Sequence, residues 1–254
     1  MPPQYNSNCY SHLRFNRYRA TLSSIELNFW AIAAEADECD ENGPLLDPIL
    51  GAEKQADEPI SLTPELYAAA SPGENLRCGR VWPAAFAVLA PLQQNVDRLL
   101  AASPSAPRVI ELGAGMGLPG LWSSVRGADV TITDSTPAVL ELLARNASLL
   151  GDVAGRPLQC SVRALDWRSP SAWLHDDFDL AIAADCLYEQ AAVEPLLAVA
   201  AAALRPGGLL LLAYKERGLV DFDVALAVAT AARLSWETQA ESGGIEVHTF
   251  AKEF

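Results

Sequence analysis

No C-x-x-C pair occurs in the 254 residues, and the five cysteines (Cys9, Cys39, Cys78, Cys160 and Cys186) are scattered and odd in number. That spacing excludes a zinc ribbon and argues against a disulfide framework; reduced thiols in a cytosol-like compartment fit it better. Bases are also short, because 18 Lys and Arg oppose 32 Asp and Glu for a formal charge of −14. No basic footprint is left for nucleic acid or an anionic membrane surface, so neither is expected as a partner, and a macromolecular partner would be basic. Long apolar runs are missing: residues 195–204 form one of the longest, well below the ~18 residues of a spanning helix. The three histidines (His12, His175 and His248) lack ligand spacing, and neither G-K-[ST] nor G-x-S-x-G occurs. P-loop, serine-hydrolase and metalloenzyme readings fall away, and no metal is expected.

What is present divides by charge. Residues 1–24 contain no Asp or Glu but carry Arg14, Arg17 and Arg19; residues 25–65 hold eleven carboxylates against Lys54 alone. Apart from a short apolar stretch at residues 25–34, this text is too polar to build a core. Residues 1–75 are therefore expected to be a partly disordered N-terminal extension, and residues 76–254 the functional domain. The expected location is cytoplasmic, although an acid-free start with Arg and Ser also resembles an organellar transit peptide.

From about Arg77 the chain becomes regular. Residues 108–112 (R-V-I-E-L) are a short apolar run ending at glycines, the mark of a buried strand, and a helix starts at Pro119. Residues 129–133 form a β-branched strand closing on Asp134, followed by a helical period of Val139, Leu142, Leu143, Leu149 and Leu150. Further strands are expected at 158–165, 178–184 and 209–214, with helices at 193–204 and 221–232. The segments 234–241 and 245–252 flank Gly243-Gly244 as a hairpin. Such alternation demands an α/β fold: a doubly wound, Rossmann-like, mostly parallel seven-stranded sheet with an antiparallel terminal hairpin strand.

The loop after the first of these strands reads Glu111-Leu112-Gly113-Ala114-Gly115-Met116-Gly117-Leu118-Pro119-Gly120. Bare positions there let the backbone turn tightly and bring main-chain N–H groups against a cofactor. Gly115, Gly117 and Gly120 satisfy the dinucleotide fingerprint G-x-G-x-x-G, whereas Glu111 with Gly113, Gly115 and Gly117 spells E-x-G-x-G-x-G. Asp134, seventeen residues beyond Gly117, suits both ribose hydroxyls of either a nicotinamide or an adenosylmethionine cofactor. Loop and carboxylate together indicate an adenosine cofactor without choosing between the two.

Other motifs choose. The Glu111 glycine order, Pro206-Gly207-Gly208 before an apolar run, and Asp166-Trp167 after the third strand resemble class I (seven-β-strand) S-adenosylmethionine-dependent methyltransferases. The G-R-V-W-P-A-A segment with Trp82, the D-x-x-Y motif Asp185-Cys186-Leu187-Tyr188, and Asn146 resemble, more narrowly, the protein-lysine methyltransferases of that fold. The resemblance covers residues 77–254. It implies S-adenosyl-L-methionine as cofactor, with Gly113, Gly115 and Gly117 under its methionine and ribose and Asp134 on the ribose hydroxyls. Asp166 and Trp167 would flank the adenine, and Trp82 would stand beside the methionine end. Glu111 either binds the methionine ammonium or caps the loop. Asp185 and Tyr188 become the catalytic pair, a carboxylate for the incoming amine and a ring face for a cationic ammonium. The implied activity is N-methylation of a lysine on another protein, through a basic or lysine-containing segment, by a monomer. A small-molecule or protein-histidine methyltransferase of this fold, an inactive interaction module and a nicotinamide oxidoreductase are the alternatives.

Overall fold

β4 (Arg108–Glu111) and β7 (Phe178–Ala184) pair in parallel at the middle of the main sheet. Their residues are almost continuously buried, as a strand covered on both faces requires. The molecule is known from a computed structural model, which describes residues 15–22, 25–32, 53–54, 82–154, 157–169, 174–175 and 177–254. On one side of β4 lie β5 (Asp129–Asp134) and β6 (Cys160–Ala164); on the other, β7 pairs with β8 (Leu204–Tyr214). β9 (Leu234–Ser242) and β10 (Ile245–Lys252) form the hairpin, with β10 antiparallel to both β8 and β9. The resulting order is β6-β5-β4-β7-β8-β10-β9, a mostly parallel seven-stranded sheet with an antiparallel edge, as the alternation of elements implied.

Strand alternation sorts the core into two layers. Val109, Val130, Ile132 and Leu211 face α1 (Pro83–Ala87), α2 (Leu89–Ala102), α3 (Leu118–Val125) and α4 (Pro137–Ala154), meeting Leu92, Trp122 and Leu143. Ile110, Leu210, Leu212 and Phe250 face the other way, onto Leu196, Leu197 and Ala229 of α5 (Val193–Ala203) and α6 (Phe222–Ala231). The chain leaves β4 toward β5 on one flank and returns to β7 on the other. The crevice at the carboxyl ends of β4 and β7 is therefore the switch point where open α/β sheets bind ligands.

Some elements differ from the sequence expectation. α1 and α2 had not been assigned. β8 begins at Leu204 rather than at residue 209, straight after α5, because Arg205-Pro206-Gly207-Gly208 is taken into the strand with an irregular register beside Phe178. A Cβ at Gly208 would stand 2.9 Å from the Phe178 carbonyl oxygen, so a bare residue is needed for that close approach. In the N-terminal region β1 (Phe15–Leu22) and β2 (Ile25–Ile32) pair antiparallel, with β3 (Glu53–Lys54) on the other side of β1. β2 runs beside α4. The remainder of residues 1–81, on which most of the expected partial disorder falls, lies outside the described residues.

Candidate active site

The glycine loop is fastened at both flanks. The Leu112 N–H donates to the Ile182 carbonyl at 2.8 Å and the Ala114 N–H to the Thr133 carbonyl at 2.9 Å, which anchors the loop to β7 and β5. Gly113 and Gly117 have φ of +62° and +74°, the left-handed region that side chains resist. Space agrees with torsion: a Cβ on Gly113 would fall 2.8 Å from Trp167 Cζ2, and one on Gly117 would fall 2.5 Å from Leu143 Cδ2. From α4, buried Asn146 donates to the Met116 carbonyl at 3.3 Å, holding the middle of the loop.

Two carboxylates lie beneath this loop. Glu111, the last residue of β4, is 2% exposed, and its Oε2 accepts the Gly120 N–H at 2.8 Å in the first turn of α3. Burial pushes its carboxyl up to about 8, the neighbouring Asp134 adds to the shift, and the Gly120 amide opposes it. The Gly120 hydrogen bond is the loop-capping contact expected of Glu111. Asp134 ends β5. Its Oδ2 accepts from Gly115 N–H at 3.1 Å and its Oδ1 from Thr136 N–H at 2.9 Å. Burial raises its pKa, while those amides and Ser135 resist the rise. The Thr136 hydroxyl also bonds to this carboxylate and resists the rise.

Trp167 follows β6 and lies half-buried with its ring edge on Gly113. Asp166, beside it, is exposed, and its Oδ1 accepts the Arg168 N–H at 2.9 Å. Across the loop, the Cys186 thiol donates to the Leu112 carbonyl at 3.1 Å, and burial raises its pKa, so it serves as packing rather than as a nucleophile. Glu111, Gly113, Gly115, Asp134, Trp167 and Asp185 thus converge on one edge of the sheet. Trp82 is half-buried at the head of α1, where its carbonyl accepts the Ala85 N–H at 3.0 Å.

Asp185 follows β7 with a left-handed φ of +57°, and its N–H donates to the Ala213 carbonyl at 2.9 Å. Its oxygens are taken by Arg217: Nη1 to Oδ1 at 2.6 Å and Nη2 to Oδ2 at 2.7 Å. Sequence reasoning missed this arginine. The available signal was its position three residues past Tyr214, at the carboxyl end of β8, where charged groups of such sheets meet ligands. Tyr188 is 58% exposed on the loop beyond Asp185.

A sequence model of the lysine methyltransferase family matches residues 64–225. The chain belongs to that family. A mouse EEF1A lysine methyltransferase 3 is 34% identical over 54% of this chain and 56% of its own length. A zebrafish protein N-lysine methyltransferase METTL21A is 40% identical over 35% of this chain and 41% of its own. The chain thus spans about half the length of the curated relatives it matches. Among solved structures, a TehB-like SAM-dependent methyltransferase from Corynebacterium glutamicum superposes with a TM-score of 0.51 at 21% identity, over 63% of this chain and 87% of that one; this likeness speaks for the fold alone. The family match takes in the glycine loop, Asp134, Trp167, the D-x-x-Y motif and Arg217 together.

Proposed function

We propose that the protein is an S-adenosylmethionine-dependent N-methyltransferase acting on a lysine side chain of another protein. The observation that carries this reading is the seat formed by left-handed Gly113 and Gly117, the Trp167 edge and the amide-held Asp134 at the switch point. It has bare backbone, a stacking surface and a buried acceptor for paired hydroxyls, as an adenosine cofactor needs. The names of the relatives, lysine methyltransferases of proteins, support the acceptor class. A chain of net charge −14 favours a basic target segment, and free Cys160 and Cys186 suit a reducing, cytosol-like compartment.

When bound, the cofactor's sulfonium supplies an activated methyl group and leaves as a neutral thioether, so the protein's task is placement rather than activation. Gly113, Gly115 and Gly117 would bring the backbone against the cofactor, Asp134 would accept from the ribose, and Trp167 would cover the adenine. Asp185 and Tyr188 would meet the lysine amine, orient its lone pair along the methyl–sulfur axis and receive the proton it sheds. The test is to incubate the full chain with methyl-labelled adenosylmethionine and a cell lysate, then digest the labelled bands. Label on lysine is the expected result; label only on histidine, only on small molecules, or nowhere would overturn the reading.

A further inference from the structure

A carboxylate beside an amine nucleophile creates a difficulty. Only the neutral amine can attack, yet a lone buried carboxylate binds the ammonium form and holds its proton in place. The structure contains an answer. Asp185 does not face the site with a free charge, because Arg217 grips both oxygens in the fork geometry specific to guanidinium. The Asp185 side chain is 6% exposed and that of Arg217 25%, so the arginine lies on the solvent side of the pair. Its Nη1 also approaches the Lys215 carbonyl at 3.5 Å. The left-handed backbone of Asp185 and the hydrogen bond from its N–H to the Ala213 carbonyl fix where this side chain leaves the main chain. Other titratable groups are arranged around the pair: Cys186 next in the chain, Tyr214 with its hydroxyl on Glu216, and Glu246 on β10 facing Tyr214.

We infer that Arg217 is a positioning residue that, through Asp185, sets the protonation state in which a target lysine meets the site; this rests on the lysine reading above. With its charge spent on Arg217, Asp185 keeps acceptor lone pairs for an N–H but no longer favours the ammonium. The guanidinium adds a like charge that disfavours ammonium further. Arginine suits the task because it stays protonated throughout the working range.

The experiment is methyl transfer by the full chain to a pool of synthetic peptides, each with one central lysine, followed from about pH 6.5 to about pH 10. In Arg217→Ala the rising limb of kcat, which reports the amine in the bound complex, should move up by roughly one pH unit, the scale of one nearby opposite charge. At neutral pH kcat should fall about tenfold, with KM equal or lower because the ammonium is held more tightly. Arg217→Lys should restore most of the limb, and Asp185→Asn combined with Arg217→Ala should return it to the wild-type position without restoring kcat. Arg217→Gln, which keeps a donor to Asp185, carries the same test should Arg217→Ala not fold. A limb unmoved in the variants, with only the amount of active protein reduced, would make Arg217 a structural clamp and overturn the inference. If Asp185→Asn alone leaves turnover intact, the assignment of Asp185 fails and this inference with it. Failure of the wild type to label any peptide would instead remove the lysine reading itself.

Discussion

At the end of β5 the Asp134 carboxylate is held by the Gly115 and Thr136 amides, whereas at the end of β7 the Asp185 carboxylate is held by one arginine side chain. Amide donors come with the fold: they are fixed by the loop and carry no net charge. They can present a buried acceptor without cancelling it, which suits a cofactor bound the same way in every turnover. A guanidinium cancels charge and sits on a flexible side chain, which would suit a side that takes in and releases protein segments under the proposed activity. The same sheet edge therefore has a preorganised half and an adjustable half.

The comparison breaks first at the loop. Gly113→Val combines a disfavoured φ with a Cβ 2.8 Å from Trp167 Cζ2. It should cost about a hundredfold or more in adenosylhomocysteine affinity while the far-ultraviolet circular dichroism stays native. Affinity close to wild type would mean that the bare loop does not seat the cofactor. On the adjustable half, Asp185→Asn keeps the shape but removes the charge. Turnover on labelled substrate should drop by on the order of a hundredfold.

A smaller effect sharpens the preorganised half. The native-state pKa of Glu111 is raised from 4.5 to about 8 by burial, so the folded protein binds a proton that the unfolded chain releases. Its contribution to stability is full below about pH 4.5 and is lost as pH rises through about 8. Glu111→Gln should flatten that fall in cofactor-free protein, gaining a few kcal/mol relative to wild type at pH above 8. Urea melts across the range would show it, and parallel profiles for the two proteins would contradict it. The smallest effect belongs to Tyr188→Phe. If the exposed ring acts by its face, turnover should stay within about threefold, and a larger loss would assign the role to the hydroxyl.

These two halves were unequally legible in the sequence. The glycine loop and Asp134 are local signals: alternating glycines and an acid at a strand end announce themselves by spacing. The Asp185 motif could be found, but its partner was marked only by its place past the end of β8, because the contact spans 32 residues and depends on a left-handed aspartate that no pattern marks. The buried role of Glu111 under Gly120 followed a similar course, since motif spacing left open whether it met a ligand or the helix. α1 and α2 were overlooked although Leu92, Val96 and Leu99 mark a helical face, because Pro83 and Pro91 punctuate it and W-P-A-A read as a motif. β1 and β2 were overlooked for a different reason: charge dominated the reading of residues 1–65 and concealed two short runs of strand-forming residues on either side of Ser23-Ser24.

The central claim is that the preorganised half alone binds the cofactor, and calorimetric titration of the full chain with adenosylhomocysteine tests it most directly. Wild type should bind at one site. Asp134→Ala should weaken binding roughly tenfold to a hundredfold, about 1.5–3 kcal/mol for the lost charged acceptor. Asp185→Asn should remain within a few-fold. If Asp185→Asn abolishes binding while Asp134→Ala is neutral, the division between the two halves is reversed and the account is wrong.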